Sequence, residues 1–321
     1  MEKEILIFGH KNPDTDSICS AMVKERLNKK NGYDSSVAVR LGNINKETQY
    51  VLNYLNLEAP ELKEEVAEGQ KVIMVDHNEF NQSIKGIEKA KILGVVDHHR
   101  IANFETSDPL YYTARPYGCT STILFQDFKG KGIEINREEA ILMASAIISD
   151  TLLLKSPTTT KHDEKALEEL EKIAGIDIKE YGLEMLKAGT DLDDFTAKEL
   201  INLDAKELDK NGIKFVIGQV NTVDIPSVLE RQEELEKAIE EELKEKELAL
   251  FVLAVTDILN SNSEILVLGE KSSVVEKAFD KKLENNRAFL EGVVSRKKQL
   301  LPNIDKNINS YIFIDRWFFY V

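Results

Sequence analysis

The chain is 321 residues long, 42% hydrophobic and 31% charged, with a formal net charge of -15. Such a composition excludes bulk disorder and provides for a substantial core, and the length suggests two domains. The acidity disfavours nucleic acid and anionic membrane as partners unless a local basic patch compensates, and two cysteines, Cys19 and Cys119, make no disulfide framework and fit a reducing cytoplasm.

In chain order, Met1-Glu2-Lys3-Glu4 leads straight into a first strand over 5–8, so no signal peptide is expected, and no apolar run reaches transmembrane length. That strand ends in Gly9-His10-Lys11-Asn12-Pro13-Asp14-Thr15-Asp16. The spacing predicts a helix over 17–28, with Asp16 or Ser17 as its N-cap and Gly32 closing it. A strand over 35–41 and a short helix over 47–55 follow, then an acidic connector or helix over 60–69. Strands are expected at 72–75, ending in Asp76-His77-Asn78, and at 92–96, ending in Asp97-His98-His99. An edge strand over 110–115 and a helix from Gly118 to about Phe128 precede an Asn136-capped helix that ends in Ser149-Asp150. This order favours a parallel, helix-covered sheet.

Thr151 to Lys155 reads as short and apolar, and amphipathic helices follow over 161–174 and 178–187. Residues 189–194 are polar, open with a glycine and are the candidate linker. They separate a first domain, 1–188, from a second, 195–321. The second domain is expected to have strands at 215–220, 248–255 and 265–268 and helices at 229–246 and 274–283. The many glutamates of 229–246 fit a solvated face. The aromatic tail Tyr311 to Val321 fits a final strand or a partner contact, with packing favoured.

Four of the five histidines, His10, His77, His98 and His99, fall at predicted strand ends. Ligands in open α/β sheets bind beyond the carboxyl ends of strands. Taken singly, Asp14 and Asp16 are ordinary helix-capping acids, Asp76 an ordinary turn acid and His10 a core histidine. Asp97-His98-His99 after a buried strand is costly to bury unless paired or metal-bound. Asp150 at the end of an apolar helix opposes the helix dipole unless a cation compensates. Together they form the usual material of a two-metal site. Arg296-Lys297-Lys298 is a basic cluster in an acidic chain, and Lys206 a weaker candidate that otherwise reads as a helix-surface lysine. Cations opposite a metal-carboxylate site suit a phosphate substrate. No P-loop, dinucleotide fingerprint or nucleophile elbow is present.

Asp97-His98-His99 resembles the signature of the DHH phosphoesterase superfamily. The segments 9–17, 75–79, 149–151 and 295–299, over a chain similar to about Pro302, resemble the manganese-dependent family II inorganic pyrophosphatases. The glycine- and histidine-rich motif of the superfamily's nucleases is not found. The resemblance implies an α/β fold of two domains: an N-terminal parallel-sheet DHH domain with helices on both faces, and a smaller C-terminal mixed-sheet α/β domain. It implies pyrophosphate hydrolysis in the cleft between them, by two-metal activation of a bridging hydroxide. His10, Asp14 and Asp150 would bind one metal, Asp16 and His98 the other, and Asp76 would bridge both. His99 would face the substrate, and Lys206, Arg296 and Lys297 would hold its phosphates, while Asp97 is inferred to orient His98 or its neighbours. Two Mn2+ or Co2+ ions per subunit, Mg2+ arriving with pyrophosphate, and a homodimer joined through sheet edges of the first domain are also implied. The 56–70 connection is too short for the nucleotide-sensing insertion that some relatives carry. Alternatives on the same residues are an exopolyphosphatase, a nucleic-acid phosphodiesterase or a binding module without turnover.

Overall fold

The computed structural model of the chain describes residues 4–210 and 212–308; the aromatic tail Tyr311 to Val321 lies outside them. It divides into two compact units, Met1–Gly189 and Thr190–Val321.

The first unit holds strands β1 (Ile5–Phe8), β2 (Ser36–Arg40), β3 (Glu61–Leu62), β4 (Lys71–Val75), β5 (Lys91–Asp97) and β6 (Tyr111–Ala114) in one sheet of order β3-β2-β1-β4-β5-β6. Every pairing in it is parallel. Its helices are α1 (Thr15–Lys30), α2 (Lys46–Leu55), α3 (Thr120–Lys131), α4 (Arg137–Thr151), α5 (Lys161–Ala174) and α6 (Ile178–Gly189). From β1 the chain runs outward through α1 to β2, and later returns to place β4 on the other side of β1. The strand order therefore reverses between β1 and β4, where a crevice opens beyond the carboxyl ends.

α1 and α3 lie against one face of this sheet. On the other face, Leu6, Phe8, Val72, Met74 and Val95 pack with Ile84 and Ile87 from a segment carrying two short 3-10 turns. Branched and apolar residues fill both sides of the strands, as two covered faces require. α4 is buried nearly all round, from Glu139 to Ile148, and packs against α1, α3 and α5. A helix so enclosed needs its ends satisfied, and the capping box of Asn136 and Glu139 does this at the start. Its far end leaves the right-handed helical region altogether: Leu152, Leu153 and Leu154 have φ of 48°, 52° and 64°. Three consecutive left-handed residues cost about 1–2 kcal/mol each. Thr151 offsets part of this, its hydroxyl accepting the Leu154 N–H at 3.1 Å, and Leu153 lies against Gly182, where any Cβ would stand 2.6 Å from it.

One local expectation is corrected, and another, left open between connector and helix, is decided. The N-cap of α1 is Asp14, not Asp16 or Ser17: its carboxylate accepts the Ser17 N–H at 2.9 Å, so the helix starts at Thr15 and Asp16 lies within its first turn. The 60–69 stretch is a connector containing the two-residue strand β3.

The second unit is a mixed sheet of order β11-β10-β9-β8-β7, formed by β7 (Ala205–Lys210), β8 (Ile213–Thr222), β9 (Leu250–Asp257), β10 (Asn262–Leu268) and β11 (Arg287–Leu290). Only β8 and β9 pair in parallel; the others are antiparallel. Its helices include α7 (Ala197–Asn202), α8 (Ile225–Leu229), α9 (Gln232–Glu245) and α10 (Ser273–Phe279). α7, α8 and α9 cover one face through Leu200, Val228, Leu235 and Ile239. α10 and the helical residues 301–308 cover the other through Val274, Val275, Ile304 and Ile308. The predicted helix over 229–246 is α9, which starts at Gln232 after the separate short helix α8. Lys206 lies on edge strand β7 rather than on a helix. No helix among the described residues is long and apolar enough to cross a membrane.

Candidate metal centre

β1, β4 and β5 are spatial neighbours and run the same way, so His10, Asp76 and His98 arrive at one edge of the sheet. The first turn of α1 adds Asp14 and Asp16, and the last turn of α4 adds Asp150. Close approach of α1 depends on Gly9, where a Cβ would lie 2.5 Å from the Ser17 Cβ.

The side chains form two groups that share one carboxylate. His10, Asp14 and Asp76 place one ligand atom each within 4.8 Å of one another, and so do Asp16, Asp76, His98 and Asp150. Asp76 divides its oxygens between them: Oδ2 lies 3.5 Å from His10 Nε2, and Oδ1 lies 3.4 Å from His98 Nε2. Its backbone is left-handed, with φ of 58°, a conformation Asp tolerates better than most residues. The Ser17 hydroxyl donates to its Oδ2 at 2.7 Å and the Thr120 hydroxyl to its Oδ1 at 3.2 Å. Asp14 likewise uses one oxygen for its cap and turns the other to His10 at 3.3 Å. Asp16 accepts the Thr120 and Ser121 N–H groups at the start of α3, and the Ser20 hydroxyl at 2.6 Å.

The grouping differs from the implied one at Asp150. It stands with Asp16, Asp76 and His98, 3.7 Å from His98 Nε2, and not with His10 and Asp14. The reason is packing: α4 lies against α1 and α3, so its end approaches the side of the crevice where Asp16 meets the start of α3.

The electrostatics of this cluster call for cations. Burial, then the neighbouring Asp16 and Asp14, hold the Asp76 carboxyl well above the ordinary carboxylate range. Burial, then Asp16, Asp76 and Asp14, do the same to Asp150, whose Oδ2 is buried without a hydrogen-bond partner. Asp14 goes the other way: burial opposes its charge, but hydrogen bonding and charge from His10 outweigh it. Carboxylate and imidazole donors at these separations fit a pair of borderline divalent ions, Mn2+ among them. His98 also has an outer anchor: the Tyr117 carbonyl lies 3.0 Å from its Nδ1, which leaves Nε2 directed at the centre.

Asp97 holds His99 and not His98. Its Oδ1 accepts the His99 N–H and lies 3.0 Å from His99 Nδ1, while Oδ2 accepts from Asn78 at 2.6 Å. His99 is half-exposed beside a cavity of about 260 Å³ that His10, Asp76, His77 and Arg100 also line. His77 stands in none of these ligand groups: its Nδ1 faces the Val75 carbonyl at 2.9 Å, its Nε2 is buried without a hydrogen-bond partner, and burial pushes its pKa down to about 4.

In the second unit, Arg296 and Lys297 line one cavity of about 440 Å³ with Asp204, Gln219, Asn221 and Thr256. Lys206 is exposed on β7 and is not among its lining residues.

Glu47 gave no signal in the sequence, where it reads as an ordinary first-turn acid of α2. It accepts the Thr15 hydroxyl at 2.6 Å and the Ser149 hydroxyl at 2.5 Å, and so ties the Asp14–Asp16 loop to the residue preceding Asp150.

Comparison with known proteins gives the family of the chain. The "DHH family, N-terminal domain" model matches residues 4–147, and the "DHHA2 domain" model matches 183–307. A Bacillus subtilis protein named manganese-dependent inorganic pyrophosphatase is 56% identical over 303 residues, covering 94% of this chain and 97% of the relative. A Staphylococcus carnosus protein given that name provisionally is 58% identical over 298 residues, with 93% and 97% covered. The crystal structure of a Methanococcus jannaschii protein, described as a candidate family II inorganic pyrophosphatase, is similar with a TM-score of 0.59. Sequence identity is 41%, and the match covers 95% of this chain and 99% of that one.

Proposed function

The chain belongs to the manganese-dependent, family II inorganic pyrophosphatases, and from that premise we propose that it hydrolyses pyrophosphate to two orthophosphates with two ions held by the His10–Asp150 cluster. The observation that carries this is Asp76, a buried carboxylate facing one ligand group with each oxygen. On this proposal His10, Asp14 and Asp76 hold one ion, and Asp16, Asp76, His98 and Asp150 the other. Mn2+ would be held at both, Co2+ would be able to replace it, and Mg2+ would accompany the substrate. When bound, the two ions supply a water acidified to a hydroxide nucleophile and polarise the phosphoryl oxygens.

The chain's own residues do the rest. Ser17 and Thr120 keep the Asp76 carboxylate aligned through hydrogen bonds to both of its oxygens. His99 has Nδ1 committed to Asp97, so Nε2 is the atom it offers to a phosphate oxygen. Arg296, Lys297 and Lys206 neutralise the remaining phosphate charge, Arg296 with a fork that matches two oxygens. Catalysis then takes place in a cleft between a metal domain, 1–188, and a substrate domain, 195–321, joined by the linker 189–194. Closure of the domains on pyrophosphate excludes bulk water. A homodimer through the outer edge of β6, where Tyr111 is exposed, and a cytoplasmic location belong to the same proposal. The net charge of -15 argues against a nucleic-acid substrate.

Phosphate release by chelator-treated protein tests this, with pyrophosphate, tripolyphosphate and a dinucleotide compared under Mn2+ and under Mg2+ alone. Mn2+-dependent release is expected to be fastest from pyrophosphate. Faster release from the longer polyphosphate, or cleavage of the dinucleotide, would replace the assignment.

A further inference from the structure

The segment carrying Arg296 and Lys297 is a loop leading into a single π-helical turn, Arg296–Leu300, yet a side chain from the sheet below grips it. Gln219 lies near the middle of β8 and is half-buried. Its Oε1 accepts the Arg296 main-chain N–H at 3.1 Å. Its Nε2 donates to the Val294 carbonyl at 3.0 Å and to the Thr256 hydroxyl at 2.9 Å, with Asn221 Oδ1 at 3.4 Å. The Thr256 and Ser263 hydroxyls lie 2.8 Å apart, and Ser263 donates to the Val293 carbonyl at 2.6 Å. β8, β9 and β10 thus each contribute one polar side chain to a relay that fixes the main chain from Val293 to Arg296. The guanidinium is held separately: Arg296 donates to the Asp204 carboxylate at 2.8 Å and to the Asp204 main-chain carbonyl, which also accepts the Gln219 N–H at 3.0 Å. Gln219 therefore touches Arg296 at its backbone and, through Asp204, at its charged end.

We infer that Gln219 is a positioning residue for phosphate recognition, resting on the function proposed above. It fixes the Val294–Lys297 main chain so that Arg296 and Lys297 face the same cavity before any substrate arrives. A cationic loop ordered in advance spares the ordering cost on binding. An amide is suited to this place because it accepts from one peptide and donates to another; leucine, of similar size, does neither.

Gln219→Leu in the full-length, Mn2+-loaded protein gives the test. Loss of about two net hydrogen bonds is expected to raise KM for pyrophosphate about tenfold, with kcat changed far less. In an Arg296→Ala background the same substitution is expected to raise KM by a clearly smaller factor, because part of what it positions is gone. Amide hydrogen exchange over 294–297, measured without substrate, is expected to quicken in Gln219→Leu. Should that variant fail to fold, Thr256→Val, which removes one partner of the amide, carries the same expectation at about threefold. An unchanged KM, a loss confined to kcat, effects that multiply in full with Arg296→Ala, or unchanged exchange would each overturn the inference. If the wild-type chain does not turn over pyrophosphate, the functional assignment fails, and the exchange rates still decide whether Gln219 fixes the loop.

Discussion

Replacing Asp150 by asparagine reverses its effect on stability according to whether Mn2+ is present. The Asp150 side chain is only 16% exposed, its Oδ2 has no hydrogen-bond partner, and Asp16 and Asp76 offer oxygens within 4.8 Å. At that separation each like-charge neighbour costs on the order of 3 kcal/mol at an effective dielectric of about 20. Proton uptake relieves part of this, since burial and the neighbouring acids raise the carboxyl pKa. A gain of about 1–3 kcal/mol is therefore expected for Asp150→Asn without metal at pH 7.5, or about 2–12 °C in the midpoint of the first unit. The sign follows from linkage. A carboxyl raised above its unfolded value of 3.8 supports the fold below that pH and loses the contribution as pH rises through the folded value. The advantage of the variant should thus open between acid and neutral pH. With Mn2+ at about 1,000 times its dissociation constant, the wild type gains about 4.1 kcal/mol that the variant largely forgoes, and the order inverts. Scanning calorimetry in chelator and in Mn2+ measures both. A variant equally destabilised in both conditions would mean that Asp150 is a structural acceptor rather than a cation ligand.

Other consequences follow from neighbouring residues. His77 is held neutral, its pKa lowered from 6.5 to about 4, so its contribution to stability is complete above pH 6.5 and lost as pH falls through 4. His77→Gln should flatten that acid limb by about 3 kcal/mol, measured by denaturant unfolding across pH. Glu47 accepts both hydroxyls on Oε1, so Glu47→Gln should leave Mn2+ affinity nearly unchanged, whereas Glu47→Ala should weaken it about 10–100-fold in equilibrium dialysis. Gly182→Ala drives a methyl into Leu153 at 2.6 Å and should cost about 1–3 kcal/mol by thermal unfolding; an unchanged midpoint would show that the left-handed turn yields freely.

The strand ends were legible because buried parallel strands announce themselves as branched apolar runs, and His10, Asp76 and His98 stand where three of those runs stop. What joins the ends was less so. Asp150 was visible as an acid against a helix dipole, but the group it joins depends on how α4 packs against α1 and α3, which no local pattern encodes. Asp14 and Asp16 are equally good caps on paper, and the choice between them rests on the extended backbone at Asp14. β7, whose Lys206 reads as a helix-surface lysine, is charged at four of its six positions because it is an edge strand with little to bury. The left-handed turn at Leu152–Leu154 contradicts the usual preference of leucine and is sustained by Thr151 and by the absence of a side chain at Gly182. Gln219 looks like any polar residue facing out from a strand, and its role appears only once Val294 and Arg296 are seen above it.

The most direct test is a Mn2+ titration of chelator-treated protein, following bound metal and phosphate release from pyrophosphate together, with Asp76→Asn alongside. Two ions per chain are expected, with turnover rising steeply as the second is bound, and Asp76→Asn should lose both tight binding and turnover. Full turnover at one ion per chain, or an Asp76→Asn variant that binds two ions and works normally, would contradict a centre built on a shared carboxylate.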